Sequence, residues 1–243
     1  MMLVWLRLAR PLLLLAMLRP CLVLRSWQVA INGDANGGFV GESWGTQNIE
    51  VLDEQDGITM QGANRVYVIE DWVWSHTWRE VRYKRLRLLN KAVSFTVDLS
   101  GVNCGCNAAI YLVQMPFPEY SSSDSSEYCD IQGYEQGSEI KPCLEIDLLE
   151  GNAKAVQSTL HTTSGHGNAR ARCNQDGCYA NLGKEHGDGR YYGPGASVMG
   201  GIDSNHPFRV TAAFPETVLP RTPHTDAYCV DTHYTHAHMH THA

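Results

Sequence analysis

A chain of 243 residues holds one large domain or two small ones, and 43% apolar residues suffice to bury a core. Its formal net charge of −7 leaves no basic excess to meet phosphate, which argues against nucleic acid and leaves a neutral polymer open as partner. Six of its eight cysteines lie between positions 104 and 178 with no Cys-x-x-Cys pair, so zinc spacing fits poorly and an oxidised, secreted chain fits well.

Residues 1–25 carry Arg7 and Arg10 ahead of an apolar run at 12–18. This reads as a secretory leader, and the run falls far short of the ~20 residues a membrane-spanning helix needs. Residues 26–215 are read as one β-sandwich domain. A Gly- and Asn-rich stretch with a short apolar segment at 49–52 comes first. Strands are then expected over 57–60 and 64–69, around a Gly-containing turn. Trp72 and Trp74 share one strand face. Such a face suits core packing, and it equally suits stacking on sugar rings. Arg79, Arg82, Lys84, Arg85 and Arg87 mark a solvated basic approach. Alternation predicts a strand over 92–99, and a run fully apolar in its middle predicts another over 108–115, the two separated by a turn that holds Cys104 and Cys106.

After a Ser- and Asp-rich loop, the run Cys143–Asn152 carries Glu145, Asp147 and Glu150 among Leu144, Ile146, Leu148 and Leu149. The pattern predicts a strand with Glu145 and Asp147 on one face. Glu150 has the opposite parity and joins them only across a β-bulge. Three acids on an apolar strand repel each other, which a chain tolerates where acid/base chemistry needs them. An edge strand with its acids in water is the plainer alternative. Strands are also expected at 153–160 and 208–214, and no helical period or repeat appears after residue 30. Cys173 and Cys178 enclose a four-residue Asp-Gly turn and are expected to pair. Residues 216–243 hold six of the eleven histidines; the alternation of His236, His238, His240 and His242 offers metal ligands, but no carboxylate or buried shell accompanies it. This segment is read as a disordered tail.

The strand passages resemble, in order, those of glycoside hydrolase family 7, the retaining cellulases. The resemblance runs from about residue 56 to 214 and rests on several segments. These are the 88–100 segment, Cys104-Gly-Cys-Asn107 with the strand after it, Tyr128-Cys-Asp130, Glu145-x-Asp147-x-x-Glu150, the 173–178 turn, and Pro207-Phe-Arg-Val-Thr211. It implies a concanavalin-like jelly roll and double-displacement cleavage of β-1,4-glucan. It places Glu145 as nucleophile, Glu150 as acid/base and Asp147 as the helper between them. His161, sixteen residues after Glu145, falls on the family's active-site histidine. Tyr111 is expected to hydrogen-bond the nucleophile or the sugar, and Trp72 and Trp74 to bind substrate. No cofactor or metal is implied, and the expected partner is a polysaccharide met by a secreted monomer, with no membrane. Leu149 stands where the family has tryptophan. Family members continue beyond the Pro-Phe-x-Val-Thr strand, so the sandwich is expected to be incomplete on its C-terminal side. A β-1,3 or mixed-linkage glucanase of the related clan, which shares the Glu-x-Asp-x-x-Glu pattern, and a non-catalytic glucan-binding sandwich are the competing readings.

Overall fold

The structure is a computed structural model that describes residues 2–5, 26–28, 38–43, 49–52, 57–70, 78–115, 126–136, 139–161, 173, 176–182, 191–215 and 231–236. The chain is all-β. The strands begin with β1 (Met2–Trp5), β2 (Ser26–Gln28), β3 (Gly38–Ser43), β4 (Ile49–Leu52), β5 (Gly57–Met60) and β6 (Asn64–Ile69). A 3₁₀ turn at Trp78–Glu80 precedes β7 (Lys91–Asp98), β8 (Ala108–Val113), β9 (Tyr134–Gln136), β10 (Glu139–Lys141) and β11 (Glu145–Gly151). Then come β12 (Val156–His161), β13 (Cys178–Asn181), β14 (Tyr192–Gly193), β15 (Ile202–Asp203), β16 (Phe208–Phe214) and β17 (Asp231–His236).

Two compact units divide the chain. The first comprises Met1–Arg85, Tyr111–Ile146 and Leu160–Cys178; the second comprises Leu86–Ile110, Asp147–Thr159 and Tyr179–Ala243. In the first, β5 pairs antiparallel with β1 on one side and β4 on the other, with Ile58 opposite both Val4 and Val51. There too β3 lies between β2 and β6, with Val40 opposite Tyr67. Val40, Tyr67, Ile69, Trp78 and Val81 form a buried cluster, and the Trp78 ring meets Tyr67 edge-on at 5.6 Å. Trp78 is therefore a core residue. Trp72 and Trp74 lie outside the described residues.

In the second unit, β16 pairs antiparallel with both β7 and β17. Its period-two sequence buries Phe208, Val210, Ala212 and Phe214 on one face. Phe208 stands opposite Val97 and Val210 opposite Phe95. Burying each such side chain stabilises by about 1.5–3 kcal/mol. The other face is polar, with the Ser94 and Thr211 hydroxyls 2.9 Å apart.

Two segments differ from the sequence reading. Met2–Trp5, inside the range read as a leader, stands as β1. The histidine-rich tail contributes β17, whose run Thr232, His233, Tyr234 and Thr235 is β-branched and aromatic enough to extend a sheet edge. Counting histidines hid that strand pattern.

Candidate active site

All three acids stand on β11, which runs without a break from Glu145 to Gly151. No residue in it has a left-handed φ, so any bulge between Asp147 and Glu150 is not of the glycine-initiated kind. Glu145 and Asp147 are 8% and 3% exposed, so the edge strand with its acids in water is ruled out. Leu148 and Leu149 are both fully buried, and Glu150 is half-buried.

The environment of Glu145 is built by backbone. Its Oε2 accepts the Ile131 N–H at 2.9 Å. Ile131 sits in a loop that Cys129 and Cys143 close by a disulfide. Asp130 organises that loop: its carbonyl accepts the N–H groups of Cys143 at 2.7 Å and Gly133 at 3.0 Å, and its Oδ1 accepts the Gln132 N–H at 2.7 Å. The other carboxylate oxygen, Oδ2, accepts the Tyr128 hydroxyl at 2.8 Å.

Tyr128 in turn belongs to a polar chain. Its hydroxyl lies 3.1 Å from that of Tyr111, and Arg65 Nε donates to the Tyr111 oxygen at 3.2 Å. Tyr128 has one proton and gives it to Asp130, so Tyr111 must donate to Tyr128. The chain therefore runs with one polarity from guanidinium to carboxylate. Arg65 also caps the Tyr128 ring, its Cζ 3.3 Å from the centroid. Burial, joined by the hydrogen bond that Tyr128 donates to Asp130, pushes the Tyr128 phenol well above its ordinary value, which keeps it a proton donor. Tyr111 was expected to meet the nucleophile or the sugar; in the structure its hydroxyl engages Tyr128 and Arg65.

Glu150 is surrounded by side chains. Asn107 Nδ2 donates to its Oε1 at 3.2 Å, while Gln157 Nε2 and the Thr159 hydroxyl approach Oε2 at 3.4 and 3.3 Å. Gln157, Thr159 and His161 alternate along β12 and share one face, which places His161 two positions beyond Thr159. Asn152 then turns the chain from β11 to β12. Its Oδ1 accepts the Lys154 and Ala155 N–H groups, and its Nδ2 donates to the Cys106 carbonyl at 3.0 Å. Gly151 is required by clearance, since a Cβ there would stand 2.3 Å from the Ala155 oxygen.

The Cys173–Cys178 disulfide forms as expected, with Cα atoms 4.6 Å apart. The Cys129–Cys143 pair, and the roles of Arg65, Tyr128, Asp130 and Asn107, were not read from sequence. Tyr128-Cys-Asp130 and Asn107 lay inside the family segments, but nothing local to them names a partner. Among the described residues, no group of three metal-ligating side chains occurs.

Residues 46–137 match the model of glycosyl hydrolase family 7. Endoglucanase EG-1 of Hypocrea jecorina is 32% identical over 150 residues, covering 54% of this chain and 30% of that protein. Endo-beta-1,4-glucanase celB of Aspergillus oryzae is 34% identical over 161 residues, covering 54% of this chain and 36% of that protein. This chain thus spans about a third of the length of these relatives. The fold is similar to that of the family 7 cellobiohydrolase from Daphnia pulex, with a TM-score of 0.53 at 21% identity over 79% of this chain and 53% of that one. That likeness identifies the all-β fold as a β-sandwich. The ordered sequence segments, the family model over residues 46–137 and the sandwich fold agree in their likeness to glycoside hydrolase family 7.

Proposed function

We propose that this protein is a secreted, retaining glycoside hydrolase that cleaves β-1,4-glucan by double displacement. The observation that carries the proposal is the pair of unlike carboxylate environments on β11. Glu145 is buried against a backbone N–H, while half-buried Glu150 meets three neutral side-chain donors. Two carboxylates held in different surroundings can take different roles in one reaction.

In the proposed cycle the Glu145 carboxylate attacks the anomeric carbon as Glu150 gives its proton to the departing glycosidic oxygen. A glycosyl ester on Glu145 results. Glu150, now a base, takes a proton from water as that water opens the ester, and the β configuration returns. Asp147, one pleat along the Glu145 face, holds the nucleophile's geometry. His161 extends the polar face of β12 that carries Gln157 and Thr159. The scheme calls for no metal or organic cofactor. Two supports come from outside the acids. The relatives are named as endoglucanases, one of them for β-1,4 linkages. Two disulfides suit an oxidising, extracellular setting. Among the described residues no helix is long and apolar enough to cross a membrane.

The test is the anomer first released from a soluble β-1,4-glucan, read by proton NMR, with laminarin and lichenan as competing substrates. The expected product is the β-anomer from the β-1,4 polymer. A first-formed α-anomer, or turnover that survives Glu145→Gln, would overturn the assignment.

A further inference from the structure

Two thiols stand out because the proposed chemistry has no use for them. Cys104 and Cys106 are free and exposed, in a chain whose other described cysteines are paired. They flank Gly105 in a β-turn closed by the Cys106 N–H on the Asn103 carbonyl at 3.0 Å. Gly105 takes φ +88°, the left-handed value a type II turn needs at its third residue. Nothing lies within 4 Å of where its Cβ would be, so the outside of the turn is open. Two residues apart, the cysteine Cα atoms are at most about 7 Å from each other, and a turn draws them closer to the ~4.4–6.8 Å range of disulfides.

The same turn is tied to the Glu150 end of β11 twice. The Cys106 carbonyl accepts Asn152 Nδ2 at 3.0 Å. Asn107, the next residue, donates to Glu150 Oε1 at 3.2 Å. Joining the two sulfurs, at a bond length of ~2.05 Å, would put the constraint of a small ring on the Gly105–Cys106 backbone, which leads into both contacts.

We propose that Cys104 and Cys106 are a redox-active dithiol, closed to an intramolecular disulfide by exchange with small-molecule disulfides, and that closure disturbs the hydrogen bonding of Glu150. One thiolate attacks a sulfur of the small disulfide, giving a mixed disulfide and a released thiolate. The second cysteine thiolate then attacks the cysteine sulfur of the mixed disulfide and releases the second small thiolate. Two electrons pass to the small disulfide, and the two cysteine protons end on the released thiols. An exposed disulfide within so small a ring is of the readily reduced kind, unlike the structural pairs.

The coupling to Glu150 rests on the proposed hydrolase reading; the thiol chemistry does not. The experiment treats the full chain with oxidised glutathione, then measures intact mass, maps peptides and assays an aryl β-cellobioside. Ring closure removes two hydrogens without leaving an adduct, and gentle dithiothreitol reverses it while Cys129–Cys143 and Cys173–Cys178 stay closed. Cys104→Ser and Cys106→Ser should each retain a glutathione adduct instead. Oxidised protein should turn over several-fold more slowly, and Cys104→Ser with its remaining thiol alkylated should escape that loss on re-exposure. Stable glutathione adducts at both cysteines of the unmodified protein, or pairing of either with Cys21 or Cys229, would overturn the proposal. Ring closure with no change in a measurable turnover would overturn the coupling. Ring closure in a protein that hydrolyses no glucoside would leave the dithiol standing and reject the hydrolase reading.

Discussion

The two ends of β11 carry the same residue type and hold it by different means. At Glu145 the partner is a backbone N–H in a loop closed by a disulfide and by three N–H bonds onto Asp130. At Glu150 the partners are Asn107, Gln157 and Thr159, each on its own rotatable side chain. A backbone donor is fixed by the fold and cannot be removed by changing one side chain. Side-chain donors can be removed one at a time. The Glu145 end should therefore fail through loss of loop structure, and the Glu150 end through loss of single contacts.

The largest effects separate the two carboxylates directly. Glu145→Gln should lower turnover of every substrate by more than about a thousandfold, because no glycosyl ester can form. Glu150→Ala should lower cleavage of unactivated glucan by about 10²–10⁴-fold yet spare the first step on aryl glycosides, whose leaving group needs no proton. Added azide should then yield a β-glycosyl azide. Equal losses on both substrate classes for the two variants would erase the distinction.

Opening the Cys129–Cys143 loop tests the Glu145 end. The double change to serine should cost about 2–5 kcal/mol, read from the urea midpoint, and reduce kcat even where the protein stays folded. Gly151→Ala tests the clearance beside Glu150. Its Cβ would meet backbone at 2.3 Å, so a loss of about 1–3 kcal/mol is expected from overpacking. A neutral result would show that the β11–β12 turn yields freely.

Smaller still are the single donors at Glu150. Asn107→Ala and Thr159→Val should each cost about 0.5–1.5 kcal/mol, and should slow unactivated glucan more than an aryl glycoside. The smallest effect is remote. The Asn205 N–H, then the Gly195 N–H, hold the Asp203 carboxyl below the usual carboxylate range. A depressed folded value means that its stabilisation is complete above the unfolded value of about 4 and is lost as pH falls through the folded one. Asp203 precedes Ser204, whose hydroxyl bonds the Ala153 carbonyl just past β11 at 2.7 Å. Asp203→Asn should thus flatten the acid limb of stability slightly, seen as a smaller drop in Tm between neutral and acid buffer.

Much of this was written locally. Runs of apolar and β-branched residues bounded by turn residues, with period-two alternation in β7, marked β5, β6, β7, β8, β11 and β16 to within a few residues. The spacing of Glu145, Asp147 and Glu150 and the short Cys173–Cys178 loop also belong to single segments of chain. Short strands such as β14 and β15 were not legible, since two residues carry no period. Nor was β17, hidden by its histidines.

Tertiary structure alone decided which groups meet the acids. Ile131 reaches Glu145 across 14 residues, Asn107 reaches Glu150 across 43, and Arg65 reaches Tyr111 across 46. It also decided that Tyr111 faces Tyr128, and that the Cys104–Cys106 turn meets Asn152, the residue after β11. The physical reason is range. Strand pattern is set by the alternation of neighbours along the chain, whereas these contacts follow from how distant segments are brought side by side, where a one-residue slip would present different side chains.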